Sequence, residues 1–450
     1  MSQSIVEKYG EARLPRYTSY PTAPNFSADV VPGTYAGWLK SIPAGGATSL
    51  YLHIPFCRSM CWYCGCHTSI TGRDGPILDY LDVLHREIDL IAAQRDSGFN
   101  VSEIHFGGGT PTIIRPEDFI ALMDALRAKL GFAAEVNTAI EIDPRRLQPE
   151  MMDALGASGV TRASLGVQSF DPTVQKAINR IQTAETTWAA VEGLRRNGIS
   201  AINFDLIYGL PHQSVQSCIE TVDIAVDMRP ARFAVFGYAH VPSFKKHQRL
   251  IEDAALPDAR ERHAQAEAIA ARLVEAGYMQ IGLDHFALPD DELAVAQREG
   301  CLHRNFQGYT TDACETLIGL GASAIGKLGP GYHQNEVPIN RYASRVRSGE
   351  LPTAKTYALT AEDRLRADVI ERLMCDFSAD VAAICRSHGF NPDVLLEDNS
   401  ALQALEADGL VRRRGSVVDV DDAHRFVIRA VAAAFDAYLG ASQRTYSKAA

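Results

Sequence analysis

The stretch His53–Cys66, "HIPFCRSMCWYCGC", places four cysteines within ten residues, directly after the apolar strand "SLYLHIP". Thiolates at spacings of three and two intervening residues can wrap one corner of an iron–sulfur cube from a single loop. Zinc is the main rival, since it also takes sets of four cysteines. Structural zinc sites pair two separated knuckles, however, and no second Cys-rich knuckle follows here. A ferredoxin supplies a distant fourth Cys followed by Pro, which is also lacking. Cys66 lies too close to Cys64, across one Gly, to reach the opposite corner. The preferred reading is therefore three ligands, Cys57, Cys61 and Cys64, with one iron left open and Cys66 outside the ligand set.

Outward from this loop, from about Ser49 to Ala276, a short apolar strand, a loop and an amphipathic helix alternate roughly six times. "ILDYLDVLHREIDLIAA" repeats Ile77, Leu81, Leu84, Ile88 and Ile91 at helical steps. A second helix is opened by Pro116 and closed by Gly131. Such alternation predicts a parallel sheet with helical crossovers. The strands also alternate polar and apolar residues: Glu141 and Asp143 against Ile140 and Ile142, Asn203 and Asp205 against Phe204 and Leu206. Arg162, Ser164 and Gln168 do the same against Ala163, Leu165 and Val167. Period-two geometry collects each polar set on one face, which predicts strands rolled around a polar lumen. Six repeats instead of eight predict a partial (β/α)6 TIM-like barrel in an α/β protein.

After residue 277 the pattern loosens into Gly-rich and polar segments such as "GLGASAIGKLGPGY". From Thr360 a capping-box-like "TAED" starts a helical region. The end, "LEADGLVRRRGSVVDVDD", predicts a helix, a hairpin and a last helix, a winged-helix-like order. The expected division is an N-terminal extension 1–48 over the active-site mouth, a catalytic domain 49–355 and a helical C-terminal domain 356–450.

Composition excludes several classes. A net charge of −11 argues against sequence-independent nucleic-acid binding, so Arg412–Arg414 are expected in a solvated turn. No apolar run is long enough to span a bilayer, and "MSQSIVEKYG" has no export-signal core. Nine cysteines in such a chain suggest ligands and buried thiols rather than disulfides. A cytoplasmic, oxygen-sensitive monomer is expected.

The cysteine loop, the "GGGTP" after the second strand and the barrel pattern resemble the radical S-adenosylmethionine (SAM) superfamily. Within it, "YLHIPFC", "CGC", "GGGTPT", "LGVQSF", "DLIYGLP", "FQGYTT" and the N-terminal "PRYTSYPTA" together resemble the oxygen-independent coproporphyrinogen III oxidases. The resemblance implies a [4Fe-4S] cluster on Cys57, Cys61 and Cys64 and two SAM molecules. It implies that 5′-deoxyadenosyl radicals turn two propionates of coproporphyrinogen III into vinyl groups, giving protoporphyrinogen IX for haem synthesis. A low-potential donor such as flavodoxin or ferredoxin is then needed.

The resemblance also assigns roles. Tyr51, His53 and Cys66 fall on catalytic positions. Tyr51, Tyr63, Gly108, Gly109, Thr110, Glu141, Ala239 and Ile325 match positions around the first SAM. Gln168, Arg180 and Asp205 match positions on the second. Four propionates also require cations, for which Lys245, Lys246, Arg249 and Arg304 are candidates. The alternatives are a haem-binding chaperone on the same scaffold, an iron–sulfur electron carrier and a haem-degrading radical enzyme.

Overall fold

The computed structural model describes residues 8–9, 12–95 and 97–439. Residues 1–7, most of the stretch read above for an export signal, and 440–450, the end of the expected C-terminal domain, lie outside the described residues.

Six strands follow the expected alternation: β1 (Thr48–Ile54), β2 (Val101–Gly108), β3 (Phe132–Ile142), β4 (Arg162–Gln168), β5 (Ala201–Tyr208) and β6 (Arg232–Gly237). Each is followed by a crossover helix: α1 (Gly75–Ala92), α2 (Pro116–Leu130), α3 (Pro149–Ala157), α4 (Ala184–Arg196), α5 (Val215–Asp227) and α6 (Ala259–Glu275). Local chemistry sets the ends. α2 starts on Pro116, carries Glu117 and Asp118 in its first turn, and stops at Gly131 with φ +79°. Every consecutive pair from β1 to β6 is parallel.

Alternation sorts the two faces. Leu50, Leu52 and Ile54 of β1 point outward with Phe106, Ile140, Leu165 and Phe204 into the main core, which also takes Ile77, Leu81, Leu84, Ile88 and Ile91 of α1. Full burial of such side chains stabilises by roughly 1.5–3 kcal/mol each. Ser49, Glu103, Asn137, Ser164, Asn203 and Ala234, on six different strands, instead line a single cavity of about 460 Å³. Only a sheet rolled around a lumen lets six strands share one cavity, so the partial barrel holds.

The loosely patterned region beyond residue 277 is more regular than its sequence suggests. It supplies β7 (Met279–Ile281), β8 (His285–Ala287), β9 (Thr316–Leu320), β10 (Ile325–Leu328), β11 (Gly331–Asn335) and β12 (Thr353–Ala358). All join one twelve-stranded sheet in the order β12-β11-β10-β9-β1-β2-β3-β4-β5-β6-β8-β7. β9 runs parallel to β1, so the parallel run has seven strands rather than six. The joint between the two parts is Glu87 of α1, which is 1% exposed. It accepts hydrogen bonds from the Gly321 amide at 2.7 Å, Asn335 Nδ2 at 2.7 Å and the Tyr342 hydroxyl at 2.7 Å.

A second core belongs to the C-terminal part. Helix α7 (Ala361–Asp376) opens with the expected capping box, Thr360 and Asp363. It packs Leu365, Val369 and Leu373 against Leu402, Val418, Ile428 and Val431. The strands Ser378–Asp380, Val417–Asp419 and Arg412–Arg414 form a small antiparallel sheet, and Arg414 is paired to Asp419 at 2.6 Å. The N-terminal segment contributes to this core as well: Tyr17 and Tyr20 are buried in it, and the Tyr17 hydroxyl donates to Asp436 at 3.0 Å. Tyr35 and Leu39, on the helix Thr34–Lys40, belong instead to the main core.

Candidate active site

The cysteine loop leaves the barrel after β1, and its sulfurs find three separate sets of donors. Cys57 Sγ lies 3.3 Å from the hydroxyls of Thr68 and Thr110. Cys61 Sγ receives Arg145 Nη2 at 3.6 Å and Arg180 Nη1 at 3.7 Å. Cys64 Sγ receives the Cys66 amide at 3.4 Å, and contact with the Cys66 thiol holds its own pKa below the ordinary value. Among the described residues no three His, Cys, Asp or Glu groups converge on one metal ion. Three thiols, each with donors of its own to stabilise a thiolate, fit the corners of a cluster, where such outer hydrogen bonds tune the metal. Cys66 is exposed.

The loop backbone is held from outside. Asn179 donates to the Met60 carbonyl at 2.8 Å, His247 Nε2 lies 2.7 Å from the Cys64 carbonyl, and Lys245 donates to the Cys66 carbonyl at 2.9 Å. Gln248 donates to the carbonyls of both Tyr63 and Ala239, at 3.0 and 3.2 Å. One amide thus joins two of the predicted SAM positions. Lys245, a candidate for substrate binding, is engaged with the loop.

Tyr51 and His53 share the inner face of β1. His53 Nε2 lies 3.0 Å from the His67 carbonyl, which can only accept, so that nitrogen carries the proton. Nδ1 is then an acceptor, and the Tyr51 hydroxyl donates to it at 3.0 Å. Burial lowers the His53 pKa, which keeps this neutral tautomer in place. On its other side Tyr51 stacks on His105, with centroids 5.9 Å apart, and His105 Nε2 lies 3.4 Å from Glu141 Oε1.

The glycines beneath are required by this packing as much as by any ligand. A Cβ at Gly107 would stand 2.9 Å from Glu141 Oε1; one at Gly108, where φ is +117°, would stand 2.8 Å from the His53 ring. A Cβ at Gly109 would lie 2.5 Å from the Phe56 carbonyl. The Gly108 amide donates to Glu141 Oε2 at 3.2 Å. Burial pushes the Glu141 carboxyl up, but His105 and this amide outweigh it and hold it below its ordinary value.

Glu141, Ser164 and Asn203 are register partners across β3, β4 and β5. Asp205 accepts from Ser164 at 3.1 Å and Asn203 at 2.8 Å. Burial and the nearby charge of Glu141 push its carboxyl up to about 7. Arg180, 6% exposed, donates to the Gly166 carbonyl at 2.6 Å and to Asp143 at 3.3 Å. A Cβ on Gly166 would lie 2.8 Å from Gln168 and 3.1 Å from Arg180, so those side chains lie together. Ile325 opens β10 with its backbone against Gly319, the register partner of Tyr51.

Three residues escape the sequence reading. Arg145 and His105 touch predicted site residues directly, and Gln248 holds two of their carbonyls. His105 was detectable, since it shares the inward phase of β2 with Glu103 and Gly107. Arg145 and Gln248 sit in irregular segments with no period to mark them.

A family model of the radical SAM superfamily matches residues 51–225. The chain is 57% identical to the oxygen-independent coproporphyrinogen III oxidase of Bradyrhizobium diazoefficiens over 100% of both chains. It is 42% identical to that of Paracoccus denitrificans over 97% of both. Among solved structures, the coproporphyrinogen III oxidase of Escherichia coli, described as a radical SAM enzyme, superposes with a TM-score of 0.91 at 38% identity, covering 97% of this chain and 99% of that one. Identity of this extent over the whole length, on a site whose cysteines suit a cluster and whose lumen is polar, means that the chain belongs to the oxygen-independent coproporphyrinogen III oxidases, oxidoreductases of the radical SAM superfamily that use a [4Fe-4S] cluster and SAM.

Proposed function

We propose that this chain converts coproporphyrinogen III to protoporphyrinogen IX without oxygen, by oxidative decarboxylation of two propionate side chains to vinyl groups. The observation that best supports this is a cysteine loop whose Cys61 meets the buried Arg180, beside a polar lumen lined by Glu141 and Asp205.

Cys57, Cys61 and Cys64 would hold the cluster, and Glu141 with the Gly108–Thr110 turn would seat a first SAM beside Tyr51, Tyr63, Ala239 and Ile325. Gln168, Arg180 and Asp205 would hold a second, because two propionates require two hydrogen abstractions. When bound, cluster and SAM supply the electron and the 5′-deoxyadenosyl radical that removes a substrate hydrogen. The polypeptide orients these groups and keeps water out. Tyr51 donates to His53 Nδ1 and His53 Nε2 to the His67 carbonyl, so the pair is held neutral and oriented on the lumen wall. Cys66, outside the ligand set, would keep its thiol hydrogen, which it directs at Cys64. The reading further entails a low-potential donor such as flavodoxin or ferredoxin. It entails a cytoplasmic monomer that needs neither nucleic acid nor membrane; among the described residues no helix is long and apolar enough to cross a bilayer. It also divides the chain into an extension 1–48 over the mouth, a catalytic domain 49–355 and a helical domain 356–450.

The test is anaerobic reconstitution with iron and sulfide, followed by dithionite, SAM and coproporphyrinogen III. Protoporphyrinogen IX with two equivalents of 5′-deoxyadenosine is expected. SAM cleavage without vinyl product would overturn the reading, and one equivalent per product would overturn the two-SAM arrangement.

A further inference from the structure

A second cavity, of about 370 Å³, lies where the ends of β5 and β6 meet the N-terminal segment and the C-terminal domain. Its lining is unusual for a chain of net charge −11. Five arginines enter it, Arg16, Arg262, Arg304, Arg425 and Arg429, from four distant parts of the sequence. Arg425 is paired with Asp422 at 2.8 Å, and Glu267 is engaged by His263 at 3.2 Å. Asp284 is engaged by His285 at 2.8 Å and also lies in the field of Arg304 and Arg16. Burial works against its charge, yet His285, Arg304 and Arg16 bring its pKa down to about 2.

Arg304 is the telling member. Its side chain is 5% exposed and lies over the Tyr309 ring, 4.4 Å from the centroid. Nη2 reaches the Arg16 carbonyl at 3.4 Å, and Nη1 stands 4.0 Å from Asp284. Nε and Nη1 have no hydrogen-bond partner. A buried donor without an acceptor is costly, so the site is built for an acceptor that arrives from outside. The surroundings are equally committed. A Cβ at Gly209 would stand 2.3 Å from Arg262 Nη1, and one at Gly237 3.1 Å from Nη2, so both glycines make room for that guanidinium.

The chamber adjoins the active site. Phe236 lines both this cavity and the lumen that holds Glu141 and Asp205. On the ribbon His303–Asn305, Arg304 faces the chamber while Asn305 faces the lumen. Ala239, one of the predicted SAM positions, lines the chamber too.

We propose that this arginine chamber binds carboxylates of the tetrapyrrole, and specifically the propionates that survive into the product, with Arg304 as the direct contact and Arg16 beside it. The inference rests on the function proposed above. Guanidinium groups recognise carboxylates through charge-assisted hydrogen bonds. A propionate that must depart as neutral carbon dioxide would be held back by such pairing, because the pairing stabilises its charged form. Retained propionates meet no such conflict, and gripping them presents the opposite edge of the macrocycle to the lumen. SAM carries a carboxylate as well, so the experiment separates the two sources.

The test uses the reconstituted enzyme and two unreactive fluorescent probes, coproporphyrin III and protoporphyrin IX, with SAM affinity measured in parallel. R304Q is expected to weaken both porphyrins by roughly 10- to 100-fold, to raise KM for coproporphyrinogen III similarly, and to leave the SAM Kd and iron content as in wild type. R304K, which keeps charge without the planar fork, falls between. The dimethyl ester of protoporphyrin IX, lacking the two charges, binds wild type and R304Q alike. R304Q weakening SAM and sparing the porphyrins overturns the proposal. So does wild type binding the ester as tightly as the acid, a comparison that decides even where R304Q does not fold. A wild type that cleaves SAM but makes no vinyl product instead defeats the functional reading itself.

Discussion

Around Tyr51 and Glu141 the polar groups are already spoken for, while around Arg304 they are not. Tyr51, His53, the His67 carbonyl and the Glu141–His105 and Glu141–Gly108 contacts form a closed set of donors and acceptors. The arginine chamber keeps two buried guanidinium nitrogens of Arg304 without hydrogen-bond acceptors and gathers five arginines with three carboxylates. The first wall is rigid before anything binds, as befits a place where a reactive radical must be aimed within a fraction of an ångström. The second spends folding stability on an unmet demand, which is how a fold stores affinity for a large anion. Their origins differ too. The first wall comes from neighbouring strands of one sheet; the second joins residue 16, the barrel and residue 429.

The sharpest way to break the first wall is at Cys61, the sulfur facing both Arg145 and Arg180. C61S is expected to reduce cluster iron and vinyl formation to background, since a hydroxyl is a poor replacement for a thiolate ligand. C66A should keep full iron and the cluster absorbance yet lose product formation. Iron analysis with visible spectroscopy checks both. Loss of iron in C66A would mean that the exposed cysteine is a fourth ligand.

Asp205 tests whether the first wall also carries a debt awaiting a ligand. Its carboxyl is pushed up to about 7, against about 3.9 in an unfolded chain. The folded protein therefore holds the proton more firmly, and stability falls as pH rises from about 4 to about 7. D205N removes this penalty. It is expected to stabilise the apoprotein at pH 8 by about 2–4 kcal/mol, with no gain at pH 4, while slowing vinyl formation at least about tenfold. Thermal melts at the two pH values give the sign. Equal melts at pH 8 would show that Ser164 and Asn203 already satisfy the charge.

These contrasts bear on what sequence could reveal. The barrel was legible because period-two and helical patterns persist over whole elements: the inward phase of Glu141, Ser164 and Asp205 is written in strands of seven or more residues. The cysteine loop was legible from spacing alone. Beyond residue 277, strands of three to six residues between glycines are too short to show a period, so β9's place beside β1 could not be seen. The resemblance to a known family supplied Ala239 and Ile325, whose contacts in the fold are made by backbone atoms that any residue carries. Arg304 was a candidate cation by chemistry. Its partners Arg16, Arg262 and Arg429 were not, because only the fold closes distances of hundreds of residues.

A weaker perturbation separates grip from charge in the second wall. Arg429 donates from Nε to the Pro15 carbonyl at 2.9 Å and from Nη2 to the Leu14 carbonyl, which fixes the segment bearing Arg16. R429M should raise KM for coproporphyrinogen III by about 3- to 10-fold with little change in kcat, and expose residues 12–22 to protease. Unaltered proteolysis with the same KM change would assign the effect to lost charge rather than lost positioning.

The smallest effect is expected at the outer end of that same segment, where Lys8 and Tyr9 both meet Asp408. This pair has the short contact of a strong ion pair, 2.5 Å between Lys8 Nζ and Asp408 Oδ2, and the mutual pKa shifts to match: Lys8 is raised by Asp408 and Tyr9, and Asp408 is lowered by Lys8 and Tyr9. It nevertheless lies in water, where screening by solvent and salt leaves such pairs little weight. D408N should therefore change neither the melting temperature nor KM measurably, at low or high salt. The Arg429 grip, by contrast, is buried, and its loss is felt at any ionic strength. A KM increase in D408N as large as in R429M would mean that the N-terminal segment is held over the chamber from its exposed end, and that the buried arginine merely lies beneath it.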